Sequence, residues 1–161
     1  MLKMRAFDLN INVFKEFKEN YGLIVAGGKK GSNLMTVSWG GMGVLWNKNV
    51  VFLFVRPQRY TMKFINENDK FTISFFDGNY KDNLIKAGRI SGEGIDKFKE
   101  TGFTKIYDVD NDINYVREAT YVFKLKKLYV GDILKDKFID KSLIEANYPN
   151  NDFHHINQHN W

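Results

Sequence analysis

The sequence predicts a mainly β fold, an antiparallel barrel with short helices plugging its ends, and three observations carry that expectation. Strand-like segments outnumber helical ones and are separated by glycine-rich or proline breaks. Aromatic residues are abundant, with 14 Phe, 8 Tyr and 3 Trp among 161 residues, which suits sheet packing or a site for flat ligands better than a plain helical bundle. No repeat or linker-like stretch interrupts the chain, so one domain over residues 1–161 is expected.

Residues 10–21 place Val13, Phe14, Phe17 and Tyr21 at helical spacing with charged residues between them, an amphipathic N-terminal helix ended by Gly22. Residues 23–26 read as a strand stopped by the turn Gly27-Gly28-Lys29-Lys30-Gly31, and residues 34–39 as a second strand broken by Gly40-Gly41-Met42-Gly43. The run of Val, Phe and Leu at 50–55 is the clearest buried strand. Pro57 closes it, and residues 61–66 read as a short helix. Residues 70–76 alternate as a strand; helices follow at 81–88 and 95–100, separated by Ser91-Gly92. The β-branched and aromatic segment 119–134 reads as one long bent strand or two continuous ones.

Hydrophobic residues make up 43% and charged residues 27%, ordinary proportions for a soluble globular chain. There is no cysteine, which excludes disulfide scaffolds, thiolate metal sites, iron–sulfur clusters and cysteine nucleophiles. The net charge of +5 suits a phosphorylated cofactor or a dinucleotide as well as nucleic acid. No apolar run is long enough to cross a membrane, and residues 1–7 carry no signal-type stretch, so a cytoplasmic protein is expected.

Arg56-Pro57-Gln58-Arg59-Tyr60-Thr61 runs from a buried strand into a helix whose N-cap Thr61 would supply. Guanidinium forks beside a helix N-terminus suit phosphate oxygens; solvated arginines paired with surface carboxylates are the plainer alternative. In the strand around Met35, Asn33, Met35, Val37 and Trp39 share one face, and Leu34, Thr36 and Ser38 the other. Met and Trp beside an amide could wall a planar heterocycle or could simply be barrel core. Ser74-Phe75-Phe76-Asp77-Gly78 reads as a strand end and a turn. The glycines of Gly88-Arg89-Ile90-Ser91-Gly92-Glu93-Gly94 lack the strand–turn–helix context of a dinucleotide fingerprint.

In order along the chain, Asn33-Leu34-Met35-Thr36-Val37-Ser38-Trp39, then Val55 to Thr61, then Phe71-Thr72-Ile73-Ser74-Phe75-Phe76, then Ser91-Gly92, Asp96-Lys97-Phe98, Tyr148-Pro149 and Asp152-Phe153-His154 resemble the flavin reductase-like, FMN-binding split-barrel family, and within it the flavoredoxin branch. The resemblance covers most of the chain from about residue 22. It implies a six-stranded Greek-key split barrel, a homodimer, and noncovalent FMN near the subunit interface. Carried onto matching positions, Arg56, Arg59 and Thr61 would hold the phosphate; Asn33, Met35, Thr36, Val37, Ser38 and Trp39 would line the ribityl chain and ring; Ser74 and Phe75 would be neighbours. Lys97 matches a family position of unassigned role. The flavin would carry the chemistry, so no catalytic side chain is expected. The activity implied is hydride transfer from NADH or NADPH to flavin; the alternative is an electron carrier that receives electrons from a redox protein partner.

The segment after His154 departs from the family's short apolar strand, and a loose tail over 155–161 is expected. His154, His155 and His159 invite a metal reading, but no helical pattern supports it and no metal is expected. A nucleic-acid-binding barrel is disfavoured because Phe52, Phe54, Phe71 and Phe75 read as core and basic residues interleave with acids, as in Lys15-Glu16 and Lys99-Glu100.

Overall fold

The computed structural model describes residues 4–160. Its frame is a seven-stranded antiparallel sheet built from β1 (Gly22–Gly28), β2 (Gly31–Val37), β3 (Gly40–Leu45), β4 (Lys48–Val55), β5 (Lys70–Phe75), β8 (Tyr121–Asp132) and β9 (His155–Asn160), in the order β2-β1-β5-β8-β9-β4-β3. A separate hairpin pairs β6 (Lys105–Asp108) with β7 (Ile113–Val116). The helices are short: α1 (Val13–Lys15), continued by a π-helical turn Glu16–Asn20, α2 (Thr61–Glu67), α3 (Lys81–Arg89), α4 (Lys97–Thr101) and α5 (Ser142–Asn147).

Strand β1 shows why the sheet curls. Ile24 and Ala26 enter one core with Met35, Leu53, Ile73 and Phe123. Leu23 and Val25 face the other way, onto a second core with Leu84, Ala87, Phe98 and Phe103. A strand buried on both faces reads as a continuous apolar run, as residues 23–26 do. Phe75 anchors the first core, set edge-on to Phe17 at 5.3 Å and to Phe123 at 5.8 Å between centroids. Such pairs add to area burial.

Several expectations are corrected. The strand expected at 34–39 ends at Val37, and the break falls at residues 38–39 rather than on the glycines at 40–43. They begin β3, which pairs residue for residue with β4 through the two-residue turn Trp46-Asn47, both at positive φ (51° and 55°). Primed turns of this kind match the twist of a hairpin. Residues 155–160 are not a loose tail. They form β9, hydrogen-bonded to β4 on one side and β8 on the other, so the sheet has seven strands where six were expected; Trp161 lies outside the described residues. Phe14 is 87% exposed and Phe17 alone of the N-terminal helical turns is buried. Residues 121–132 are one strand, bent by a register shift between Lys127 and Tyr129.

Candidate functional site

β2 passes into β3 through Ser38 and Trp39, and the Phe54 N–H of β4 donates to the Trp39 carbonyl at 3.2 Å, a seam that continues the β3–β4 ladder. Beside that seam lies a cleft of about 260 Å³ lined by Met35, Thr36, Val37, Ser38, Trp39, Phe54, Arg56, Arg59 and His154. A second cleft of about 190 Å³ is lined by Asn33, Gln58, Arg59, Tyr60, Thr61, Arg89, Ile90, Ser91, Gly92 and Lys97. Arg59 belongs to both and joins them into one groove.

β2 is an edge strand of the sheet, so half of its backbone N–H and C=O groups point away from any strand partner. Trp39, just past its end, remains 39% exposed against the cleft. The His154 ring lies tilted on its indole, 4.6 Å between centroids, and His154 Nδ1 is 2.9 Å from the Tyr148 Oη. Burial, then the charge of Arg56, pushes the His154 imidazole down to about 4, so it is neutral at pH 7.

The cations differ sharply. Arg56 donates to the Asp152 carboxylate and, through Nη2, to the Asn147 carbonyl at 2.8 Å, and its guanidinium lies over the Tyr148 ring, 5.4 Å from the centroid. Gln58 Nε2 donates to the same carboxylate at 2.6 Å, and these donors hold Asp152 below the usual carboxylate range, Arg56 first. Arg59 meets no carboxylate among the described residues. Burial, then repulsion from Arg56, lowers its pKa. Lys97 is buried, donates to the Ala87 carbonyl at 2.6 Å, and is pushed down to about 8 by burial and then by Arg59. Two crowded cations without a counter-ion among the described residues form an anion-seeking site.

Of the residues singled out in the sequence, Met35, Thr36, Val37, Ser38, Trp39, Arg56 and Arg59 line the first cleft, and Asn33, Arg59 and Thr61 the second. Three have further engagements. Arg56 is bound to Asp152, as above. The Thr36 hydroxyl donates to the Leu84 carbonyl at 2.5 Å, tying β2 to α3. Thr61 is the first residue of α2 rather than its cap, which is Tyr60; its buried hydroxyl accepts from Asn33 Nδ2 at 3.0 Å. Ser74 and Phe75 line neither cleft: both are fully buried in β5 between β1 and β8, because the alternation of that strand has core on both sides. His154 and Arg89 had no expected place in the flavin site, and Phe54, expected as core, lines the first cleft. The pairing of Tyr148 with His154 had no sequence signal beyond their place in the family pattern.

The histidines diverge: His154 packs on Trp39, His155 pairs with Asp132, and His159 is buried against Phe71. Among the described residues no three His, Asp or Glu side chains stand close enough to hold a metal ion.

Among solved structures, the chain superposes on the flavoredoxin of Methanosarcina acetivorans with a TM-score of 0.66 at 21% identity, over 99% of this chain and 73% of that one. The fold is that of the flavin split-barrel proteins. The flavoredoxin of Desulfovibrio vulgaris (Miyazaki F) gives 0.65 at 22% identity, over 99% of this chain and 74% of that one. A protein assigned as a flavin reductase with a split-barrel domain, from Shewanella frigidimarina NCIMB 400, gives 0.68 at 17% identity, over 88% of this chain and 63% of that one. No protein-family model and no curated protein matches the sequence. No helix among the described residues is long and apolar enough to cross a membrane.

Proposed function

We propose that the split-barrel groove binds FMN noncovalently and that the protein is a flavin reductase-like oxidoreductase moving hydride from NADH or NADPH to flavin. The observation that carries this reading is Arg59, a half-buried guanidinium with no carboxylate partner among the described residues, placed where a cleft walled by an edge strand and an indole joins a cleft floored by Lys97. The donors fit the group. Arg59 and Lys97 would take the phosphate, and the Asn33 amide stands beside them. The 35–39 edge offers backbone hydrogen bonds to a heterocycle's polar rim, and Trp39 with Met35 offers apolar wall.

Bound there, the flavin supplies the redox chemistry, and the chain supplies binding, orientation and electrostatics. Arg56, held by Asp152, braces the loop that carries His154 against Trp39. The neutral imidazole keeps that wall uncharged at pH 7. Homodimerisation is supported by apolar groups left outside, including Val44, Val130 and the Trp46–Tyr129 pair at 6.4 Å.

The test is the visible spectrum of the purified protein and calorimetry with FMN; colourless material that gives no heat with FMN refutes the reading. The similarity to two flavoredoxins at 21% and 22% identity favours a second reading, an electron carrier served by a redox protein. Anaerobic stopped-flow mixing with NADH and NADPH separates the two: rapid bleaching of bound flavin supports the reductase.

A further inference from the structure

Tyr148 is packed into an aromatic cluster that fixes where its hydroxyl points. Its ring stacks on Phe153 at 4.6 Å and 25°, with Phe138 edge-on at 6.0 Å and Trp39 edge-on at 6.5 Å. The Arg56 guanidinium lies over the same ring. Tyr148 is buried, and its Oη has one hydrogen-bond partner among the described residues, His154 Nδ1 at 2.9 Å.

That contact has one consistent proton assignment. Burial raises the Tyr148 phenol above its ordinary range, against the opposing charge of Arg56, so the hydroxyl keeps its proton at neutral pH. A buried O–H needs an acceptor, and His154 Nδ1 is the one it meets. Nδ1 therefore carries the lone pair. The imidazole is neutral at pH 7, and a neutral ring has a single N–H, which then sits on Nε2. Nε2 donates to no acceptor among the described residues. The ring that carries it is otherwise buried, packs on Trp39 and lines the first cleft.

We infer that His154 is a hydrogen-bond donor built into the first cleft, its tautomer set by Tyr148, and that its Nε2–H binds a carbonyl oxygen of the flavin ring. This rests on the flavin reading above and adds a residue that tunes the bound ring. Hydride brings two electrons and one proton, so its arrival at a neutral ring leaves one added negative charge. A preorganised donor aimed at a carbonyl gains strength as that charge develops. His154 gives up no proton in this role; it favours the reduced form through its dipole. Tyr148 is the positioning residue, because it decides which nitrogen carries the hydrogen.

Two measurements on the whole chain test this. Heteronuclear NMR of the imidazole nitrogens at neutral pH reads the tautomer with or without flavin. The expected spectrum shows His154 protonated on Nε2 alone, and a mixture of both tautomers in Tyr148→Phe. Redox titration of the FMN-loaded protein reads the midpoint potential. His154→Leu should weaken reduced relative to oxidised FMN by about tenfold, a fall of about 30 mV for the two-electron couple. His154→Gln, which keeps an N–H near the Nε2 position, should recover most of that fall, whereas a purely packing role would make the two variants alike. A proton on Nδ1 in the unmutated protein, or an unchanged potential in His154→Leu, overturns the inference and leaves the flavin site standing. Failure of FMN to bind refutes the underlying reading instead, while the spectra still decide the tautomer.

Discussion

Arg56 reaches across 96 positions of sequence to the carboxylate of Asp152, and that ion pair decides which arginine is available to a ligand. Arg59, three residues on, has no such partner among the described residues. Arg59→Ala is therefore expected to weaken FMN by roughly one to two powers of ten, the loss of one charge-assisted contact of about 1.5–3 kcal/mol. Arg56→Ala is expected to act on the fold, lowering the melting temperature by leaving Asp152 without its guanidinium and freeing the Asn147 carbonyl. Calorimetry and thermal melts on the two variants check the division; equal losses of affinity would contradict it.

Lys97 gives the site a pH dependence. Its ammonium, pushed down to about 8, loses its proton just above neutrality, and an anion beside it favours the charged form. FMN affinity should hold below pH 8 and fall as pH rises through that value. Lys97→Met should bind more weakly at pH 7 and show a flatter profile from pH 7 to 9.5, read by calorimetry in matched buffers.

His159 predicts a stability limb on the acid side. Fully buried, with neither ring nitrogen hydrogen-bonded among the described residues, it is pushed from 6.5 down to about 3 by burial and then by the charge of Lys127. Between those values the unfolded chain binds a proton that the folded chain does not, so stability falls as pH drops from 6.5 toward 3, by at most about 1.4 kcal/mol per unit for this group. His154 adds to the same limb down to about 4. His159→Leu should raise the melting temperature at pH 5 and leave a shallower acid slope, measured by thermal denaturation from pH 4 to 8.

Removal of residues 155–160 should abolish cooperative folding. The deletion takes out the strand that β4 and β8 share, from Val55↔His155 to Val50↔Asn160 on one side and from Asp132↔His155 to Lys126↔Asn160 on the other. Two interior ladders would become open edges. Circular dichroism melts and amide chemical-shift dispersion report the outcome.

The elements legible in the sequence were those in which apolar spacing and burial agree. β1, β4, β5 and β8 carry unbroken or alternating apolar runs, and α2 and α3 follow clear breaks. β3 was hidden because Gly40, Gly41 and Gly43 have no strand propensity of their own; its pairing with β4 makes it a strand. β9 was hidden because its inward residues are Asn157 and His159, which reverses the usual apolar-in pattern. The site was legible where neighbours in sequence stay neighbours in space, as along 35–39 and 56–61. Ser74 and Phe75 were misplaced because a strand end near a turn gives no sign that helices and strands bury both of its faces. His154 was out of reach because it meets Trp39 across more than a hundred residues, beside the Arg56–Asp152 pair that joins positions 96 apart.

The position of β9 also bears on how fast the molecule is made. Its contacts with residues 50–55 span more than half the chain, and such distant pairings are slow to find. Until they form, β4 and β8 each present an unsatisfied margin, so the kinetic hazard in refolding is association between two unfinished chains along those margins.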